Sequence, residues 1–142
     1  MPLEAHPHQD LTYRIIGAAM EVHKTLGCGF QEAVYQRALA LEMTMRRLEY
    51  SREHDMPIYY KGAEVGKRRV DFLVEDVVVV EIKALTDLES VHIAQAVNYL
   101  EAFGLPVGLL LNFGAPSLQH RRVLHPRDWP NRAAPLPAEG IV

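Results

Sequence analysis

Two charged side chains end the most apolar run of the sequence, and they stand two positions apart. Glu81 and Lys83 flank Ile82 directly after the valines at 77–80. Side chains alternate between the faces of a β-strand, so both charges would lie on the same face of a sheet. Charged groups are almost never fully buried without partners. A carboxylate and an ammonium in this position therefore indicate either a reactive site or a structural ion pair.

A further carboxylate, Asp71, lies near the end of the preceding predicted strand. An odd-length loop or a bulge near residues 75–76 would bring Asp71 across from Glu81 on the same face. A strict two-residue turn there would instead pair Asp71 with Val80 and turn it to the opposite face, and the sequence leaves this register open. In the first register two carboxylates converge beside Lys83, which suits Mg²⁺ or Mn²⁺ together with water and phosphate oxygens.

A metal ion held in this way lowers the pKa of a bound water and polarises a phosphoryl group. Lys83 would then act as a point charge that orients the water or holds a phosphate. The alternative is a structural salt bridge between Lys83 and Glu81 or Asp71, since ionisable networks also occur for structural reasons. Spacing and composition leave both interpretations open.

Helices and strands alternate in the pattern of apolar residues that surrounds this triplet. Apolar residues recurring every three or four positions predict a first helix with Asp10 as its N-cap. Apolar runs predict the strands, with a bulge or close backbone approach at Gly66. The predicted elements are helices at 10–27, 31–48 and 87–103 and strands at 57–60, 64–74, 77–82 and 106–112. This order favours an α/β domain with a mixed central sheet flanked by helices.

Residues 126–142 contain four prolines and little apolar periodicity. We expect them to form an irregular extension, packing through Trp129, that follows a domain at residues 1–125.

The composition is that of a globular protein with 142 residues, a formal net charge of −3 and one cysteine, Cys28. The single cysteine excludes an internal disulfide and a multi-cysteine zinc site. No apolar run reaches the roughly 20 residues of a membrane span, and residues 1–10 lack the features of a secretory signal. We therefore expect a cytoplasmic protein with no membrane partner.

The negative net charge disfavours a nucleic-acid partner, because phosphate binding normally leaves a basic footprint. Three basic clusters could supply one locally or be solvated surface: Arg46-Arg47, Lys67-Arg68-Arg69 and His120-Arg121-Arg122.

The order of elements and the charged motifs together resemble the PD-(D/E)XK nuclease superfamily. Its α-β-β-β-α-β core carries an acidic residue on the second strand and a (D/E)XK triplet on the third. Asp71 and Glu81-Ile82-Lys83 match these positions, whereas the proline usually found before the aspartate is Val70 here. Within the superfamily the chain resembles the GxxExxY proteins, whose motif stands at residues 29–35. The resemblance covers roughly residues 10–125.

The resemblance implies further roles. The implied metal ligands are Asp71, Glu81, the Ile82 carbonyl and Glu32. Lys83 would orient or activate the water, and Gln95 and Tyr99 would position the water or the phosphate from one face of the following helix. Taken alone, Glu32 could be a solvated acid in a first helical turn and Tyr99 a packed tyrosine with a satisfied hydroxyl.

These residues lead us to expect a metal-dependent phosphodiesterase, in particular a DNA nuclease, that uses Mg²⁺ or Mn²⁺. The first alternative is a non-cleaving nucleic-acid-processing accessory or binding module, because fold does not imply function. The second is a structural domain with an ion-pair network. DNA as against RNA, and a homodimer as the oligomeric state, are left open by the sequence.

Overall fold

Three helices and one five-stranded sheet make up residues 8–126, the part of the chain that this computed structural model describes. In chain order the elements are α1 (Gln9–Leu26), α2 (Glu32–Met45), β1 (Tyr50–Tyr60), β2 (Ala63–Val74), β3 (Val78–Lys83), α3 (Ser90–Phe103), β4 (Val107–Asn112) and β5 (Gln119–Leu124). The strands lie side by side in sequence order. Neighbours are antiparallel except β3 and β4, which are parallel and connected through α3. The predicted mixed α/β fold is confirmed.

Helices cover both faces of the sheet. Helices α1 and α2 pack on one face, where Val80 and Ile82 join their apolar residues in a single cluster. Helix α3 covers the other face through Ala96 and Leu100, which pack with Val79. All residues of β4 and all but the last of β3 are buried, as expected for neighbouring parallel strands covered on both sides. These two strands form the buried centre of the sheet, and the charged triplet is the end of β3.

The elements missing from the prediction are polar. Strand β1 begins at Tyr50 rather than at 57, and its first residues are mostly exposed, as suits an edge strand. Strand β5 was not predicted, and only Val123 among its residues is buried. In both strands the apolar alternation that indicates a strand is therefore weak.

Helix ends also differ from the prediction. Helix α1 begins at Gln9, so Asp10 lies in its first turn rather than at the N-cap. Helix α2 ends at Met45, before Arg47 at φ 63°. Helix α3 begins only at Ser90, where a capping box closes its first turn.

The irregularity predicted at Gly66 is present. The register of β1 against β2 shifts between Ile58 and Tyr59, whose partners are Gly66 and Glu64, so Val65 is the extra residue of a bulge.

Within residues 8–126, no helix has both the length and the apolar character needed to cross a membrane. The predicted extension at 126–142, with Trp129, lies outside the described residues except for its first residue, so the domain boundaries stay predictions.

Candidate active site

The loop between β2 and β3 determines where Asp71 lies. It has three residues, 75–77, the first two with φ of 53° and 62°. The strands then pair with Phe72 opposite Val80. An odd-length connection thus produces the first of the two possible registers. Asp71, which precedes Phe72 on β2, then lies next to the end of β3 that carries Glu81.

The carboxylate of Asp71 ties two elements together. Its Oδ2 accepts a 2.7 Å hydrogen bond from the backbone N of Ile82, just past the last paired residues of β2 and β3. Its Oδ1 accepts a 2.8 Å hydrogen bond from Nε2 of Gln36 on α2. The side chain thus replaces a backbone partner where the strands separate, and it links α2 to β3.

Tyr35, the last residue of the 29–35 motif, explains why Gln36 is in reach. Tyr35 is fully buried, and its ring stacks on Phe113 with the centroids 4.6 Å apart. Its hydroxyl donates to the carbonyl of Gly27 and accepts from the backbone N of Phe30. This tyrosine fixes the turn from α1 into α2, and Gln36 follows it directly. Sequence reasoning missed Gln36, because nothing in its spacing indicates a partner 35 positions away.

Glu81 is a buried carboxylate with one unsatisfied oxygen. Only 4% of the residue is exposed. Its Oε1 accepts a 3.0 Å hydrogen bond from Nη2 of Arg68, whereas Oε2 is buried with no hydrogen-bond partner among the described residues. Burial, reinforced by the negative charge of Asp71, raises the pKa of Glu81 to about 7, against the opposing charges of Arg68 and Lys83. Near neutral pH, the surroundings of Glu81 therefore favour either protonation of its carboxylate or binding of a cation to it.

Arg68 is another residue that sequence reasoning missed as part of the site. Its guanidinium carbon lies 4.8 Å from the centre of the Tyr99 ring, while one of its nitrogens contacts Glu81. Its Nε is buried with no hydrogen-bond partner in the described part of the chain. In the β-ladder Arg68 pairs with Met56, so its contact with Glu81 is diagonal. Neither alternation nor spacing signals such a contact, which depends on the length of the arginine side chain.

Lys83 ends β3 opposite Asn112, the last residue of β4. It is half-buried, and within residues 8–126 it forms no ion pair with Asp71 or Glu81. The ion pair of Glu81 is therefore made by Arg68, and the salt bridge that the sequence allowed for Lys83 is not formed. The positive charge of Lys83 is close enough to Glu81 to oppose the rise in its pKa, although it does not outweigh burial.

A buried amide fixes the loop that follows Lys83. Asn112 is fully buried, and its Oδ1 accepts from the backbone N of Leu85 at 2.7 Å and of Gly114 at 3.1 Å. Its Nδ2 donates to the carbonyl of Leu85 and to Oε1 of Gln119. Every hydrogen-bonding position of the amide is thereby used. A Cβ on Gly114 would come within 2.5 Å of the Leu85 backbone, so the loop packs tightly here. A polar residue ending an apolar strand was the only sequence signal for this clamp.

The remaining predicted site residues differ in how near they lie to Glu81. Tyr99 is half-buried and lines a small cavity together with Glu81, and burial raises its pKa against the opposing charge of Arg68. Gln95 is exposed one turn earlier on α3.

Glu32, the first residue of α2, is exposed. Within residues 8–126, no three His, Cys, Asp or Glu side chains converge as a metal site, so Glu32 is not grouped with Asp71 and Glu81. The roles of Glu32, Gln95 and Tyr99 stay predictions.

The donor set suits a hard divalent cation. Asp71 and Glu81 supply two carboxylates, and Oε2 of Glu81 has no other partner among the described residues. Each oxygen of Asp71 accepts one hydrogen bond and retains further acceptor capacity. Mg²⁺ commonly binds one or two carboxylates and fills its coordination with water and phosphate oxygens. The residues present therefore fit Mg²⁺ or Mn²⁺.

Comparison with known proteins agrees with this architecture. A family model described as the PD-(D/E)XK nuclease superfamily matches residues 9–123, and the chain belongs to that superfamily. The match is at the level of the superfamily, so membership of the GxxExxY proteins stays a prediction. No curated protein matches the chain.

The crystal structure of SSO0001 is similar, with a TM-score of 0.52 and 19% identity over 70% of this chain and 52% of that one. At this identity the likeness shows the fold alone. The chain spans about half the length of SSO0001.

Proposed function

We propose that the protein is a metal-dependent phosphodiesterase that cleaves DNA with Mg²⁺ or Mn²⁺. The observation that carries this proposal is the buried Oε2 of Glu81, which has no hydrogen-bond partner among the described residues and lies beside Asp71. Leaving a buried polar group unsatisfied costs about 1–3 kcal/mol or more, and a divalent cation would remove that cost. Membership of the nuclease superfamily supports the phosphodiester bond as the bond that is hydrolysed.

The residues divide the work between metal binding and positioning. The proposed ligands are Asp71, Glu81, the Ile82 carbonyl and Glu32. A bound Mg²⁺ or Mn²⁺ would supply Lewis-acid activation of the attacking water and of the phosphoryl group. Lys83, whose following loop is held by the Asn112 amide, would orient the water. Gln95 and Tyr99 would border the water or the phosphate.

Arg68 would contribute a phosphate contact. Its planar guanidinium suits two-point contacts with phosphate oxygens, and its central carbon lies 4.8 Å from the centre of the Tyr99 ring. About a third of its side chain is exposed, so a phosphate can reach it. A cytoplasmic location and the absence of a membrane partner are expectations of this proposal that come from the sequence.

Cleavage assays with single-stranded, duplex and branched DNA and RNA in Mn²⁺ test the proposal. We expect cleavage by the wild type and almost none by Glu81→Gln. Lys83→Ala should cleave about 10²-fold or more slowly, the usual effect of losing a positioned catalytic group. Its Mn²⁺ affinity by calorimetry should not fall, because Lys83 is not a proposed ligand and its positive charge near Glu81 opposes the binding of a cation. Lys24→Ala, which removes an exposed lysine of α1, is the matched control and should behave as the wild type.

Each contrary result has a defined meaning. A wild-type rate in Lys83→Ala would refute the role given to this lysine. Binding of nucleic acid and Mn²⁺ without cleavage would indicate the non-cleaving accessory. Absence of both would leave a structural domain, which the ion pair of Arg68 with Glu81 favours as the second candidate.

A further inference from the structure

The hairpin of β1 and β2 continues well beyond the sheet. The pairing of β2 with β3 extends only to Phe72, whereas β1 and β2 stay paired as far as Tyr60 opposite Ala63. Residues 56–68, which we call the arm, pair in the ladder only with each other among the described residues. The tip is a tight turn in which Lys61 and Gly62 have φ of 50° and 84°.

One face of the arm leads to the candidate active site. Three cross-strand pairs share this inner face: Met56 with Arg68, Ile58 with Gly66 and Tyr60 with Ala63. They share it because side chains two apart on a strand, and those directly opposite one another, point the same way. The inner face therefore runs from Arg68, which contacts Glu81, to Tyr60 at the tip. The distance from Met56 to Tyr60 is roughly 13 Å at about 3.3 Å per residue.

The chemistry of the arm combines an aromatic ring with positive charge. Tyr60 is 62% exposed, and Nζ of Lys61 lies 5.3 Å from the centre of its ring. A Cβ on Gly66 would meet nothing within 4 Å, so the inner face is open beside Ile58. Proteins that bind single-stranded nucleic acid combine such stacking surfaces with basic residues along the backbone.

Charge distinguishes the arm from the rest of the molecule. It contains Lys61, Lys67 and Arg68 against the single acid Glu64, whereas the whole chain has a net charge of −3. A polyphosphate strand therefore complements the arm better than it complements the rest of the chain, whose net charge is negative. A second copy of the arm would bring like charge to like, which disfavours a dimer through this surface.

We propose that the inner face of the arm holds a single-stranded nucleic-acid segment and leads it to Asp71 and Glu81. Tyr60 stacks on a base, Lys61 neutralises a nearby phosphate, and Arg68 contacts the phosphate closest to the carboxylates. The arm supplies the basic footprint that the net charge of the chain does not. The class of ligand rests on the proposed function, whereas the surface is assigned from the geometry of the arm.

Two adjacent tyrosines allow a matched test. Tyr59 and Tyr60 are 61% and 62% exposed but point to opposite faces of the arm. Binding of a short oligothymidylate is measured by fluorescence anisotropy in chelator, so that cleavage does not interfere. Tyr60→Ala should weaken binding about fivefold or more, the loss of one base–aromatic stack. Tyr59→Ala and Tyr13→Ala, the latter on the exposed surface of α1, should bind as the wild type.

Salt dependence, the open space at Gly66 and the number of strands in the ligand provide three further measurements. Lys61→Ala should reduce the slope of log affinity against log salt concentration by about 0.7, the value for one phosphate contact with a single strand. Gly66→Leu puts a side chain into the open space and should weaken binding without lowering the melting temperature. A duplex of matched length should bind more weakly than the single strand.

Equal binding by Tyr60→Ala and the wild type, or equal weakening by Tyr59→Ala and Tyr60→Ala, would overturn the proposal. A wild-type dimer in light scattering that Tyr60→Ala dissociates would assign the arm to a second copy instead. Failure of the proposed function is a separate result. Binding that depends on Tyr60, without cleavage in Mn²⁺, would refute the nuclease activity and support the role of the arm. Cleavage by the wild type, together with normal binding by Tyr60→Ala, would support the nuclease activity and refute the role of the arm.

Discussion

Two neighbouring arginines of β2 each pair with an acid, and the pKa values of the two acids shift in opposite directions. Asp55 and Arg69 pair on the surface, where the hydrogen bond from Arg69 lowers the pKa of Asp55. This is the usual result when an acid accepts a hydrogen bond from a base. Glu81 also pairs with an arginine, yet its pKa is raised to about 7, because burial and Asp71 outweigh Arg68. The direction of the shift therefore separates Glu81 from an ordinary structural ion pair.

Replacing Glu81 by glutamine should change how stability depends on pH. An acid with a raised folded pKa binds more protons in the folded state than in the unfolded state. Ionised Glu81 therefore destabilises the fold above pH 7. This penalty disappears as the pH falls from about 7, the pKa of Glu81 in the folded state, to 4.5, the ordinary pKa of a glutamate. The shift corresponds to about 3 kcal/mol. At pH 8, Glu81→Gln should have the higher free energy of unfolding, and below pH 4.5 the two proteins should converge.

Urea unfolding of both proteins between pH 4 and pH 8 measures this effect, with Asp10→Asn as an exposed control. A Glu81→Gln variant that is less stable than the wild type at pH 8 would mean that its pairing with Arg68 is worth more than the cost of burial. That result would support the structural ion pair.

The side chain of Asn112 holds the loop between β3 and α3 by its hydrogen bonds to the backbone of Leu85. Asn112→Ala would remove the side-chain partners of the partly buried N–H and carbonyl groups of Leu85, at a cost of about 2–4 kcal/mol. Because this loop directly follows Lys83, cleavage should slow even under conditions where the variant is fully folded. Urea unfolding and cleavage rates check both effects, with Asn98→Ala on the exposed surface of α3 as the control. A folded Asn112→Ala that cleaves at the wild-type rate would show that the clamp does not position Lys83.

The elements that could be predicted from the sequence are the buried ones. The boundaries of β3, α3 and β4 agree with the prediction to within three residues, because dense apolar runs and helical spacing define them. Strand β5 and residues 50–56 of β1 were missed, since exposed edge strands need no apolar alternation. In the site, the sequence indicated Asp71 and Glu81 but left two registers open. The sequence did not indicate the partners of these acids, Gln36 and Arg68. The diagonal contact of Arg68 with Glu81 and the helix-to-strand contact of Gln36 with Asp71 leave no periodic signal.

At the scale of the whole molecule, metal binding should appear as a change in thermal stability. In chelator, Asp71→Asn should melt higher than the wild type, because Asp71 no longer repels Glu81. Asparagine can still accept from Ile82, and a rotated Gln36 amide can still bond to it. Saturating Mn²⁺ should stabilise the wild type, by about 2.7 kcal/mol at a hundred times the dissociation constant, and Asp71→Asn far less.

Thermal melts of both proteins in chelator and in Mn²⁺ provide the comparison. A variant that melts below the wild type, with neither protein responding to metal, would leave the metal site without support.

The three-residue loop at 75–77 limits how the length of this protein can vary. Surface loops usually tolerate insertions and deletions freely. Losing or gaining one residue here would slide β3 against β2 and turn every side chain of β3 to the other face. Valines suit either buried face, so such a chain could still fold, but Glu81 would point toward α1 and α2 and away from Arg68. Related sequences that keep the same chemistry should therefore differ in this loop by even numbers of residues.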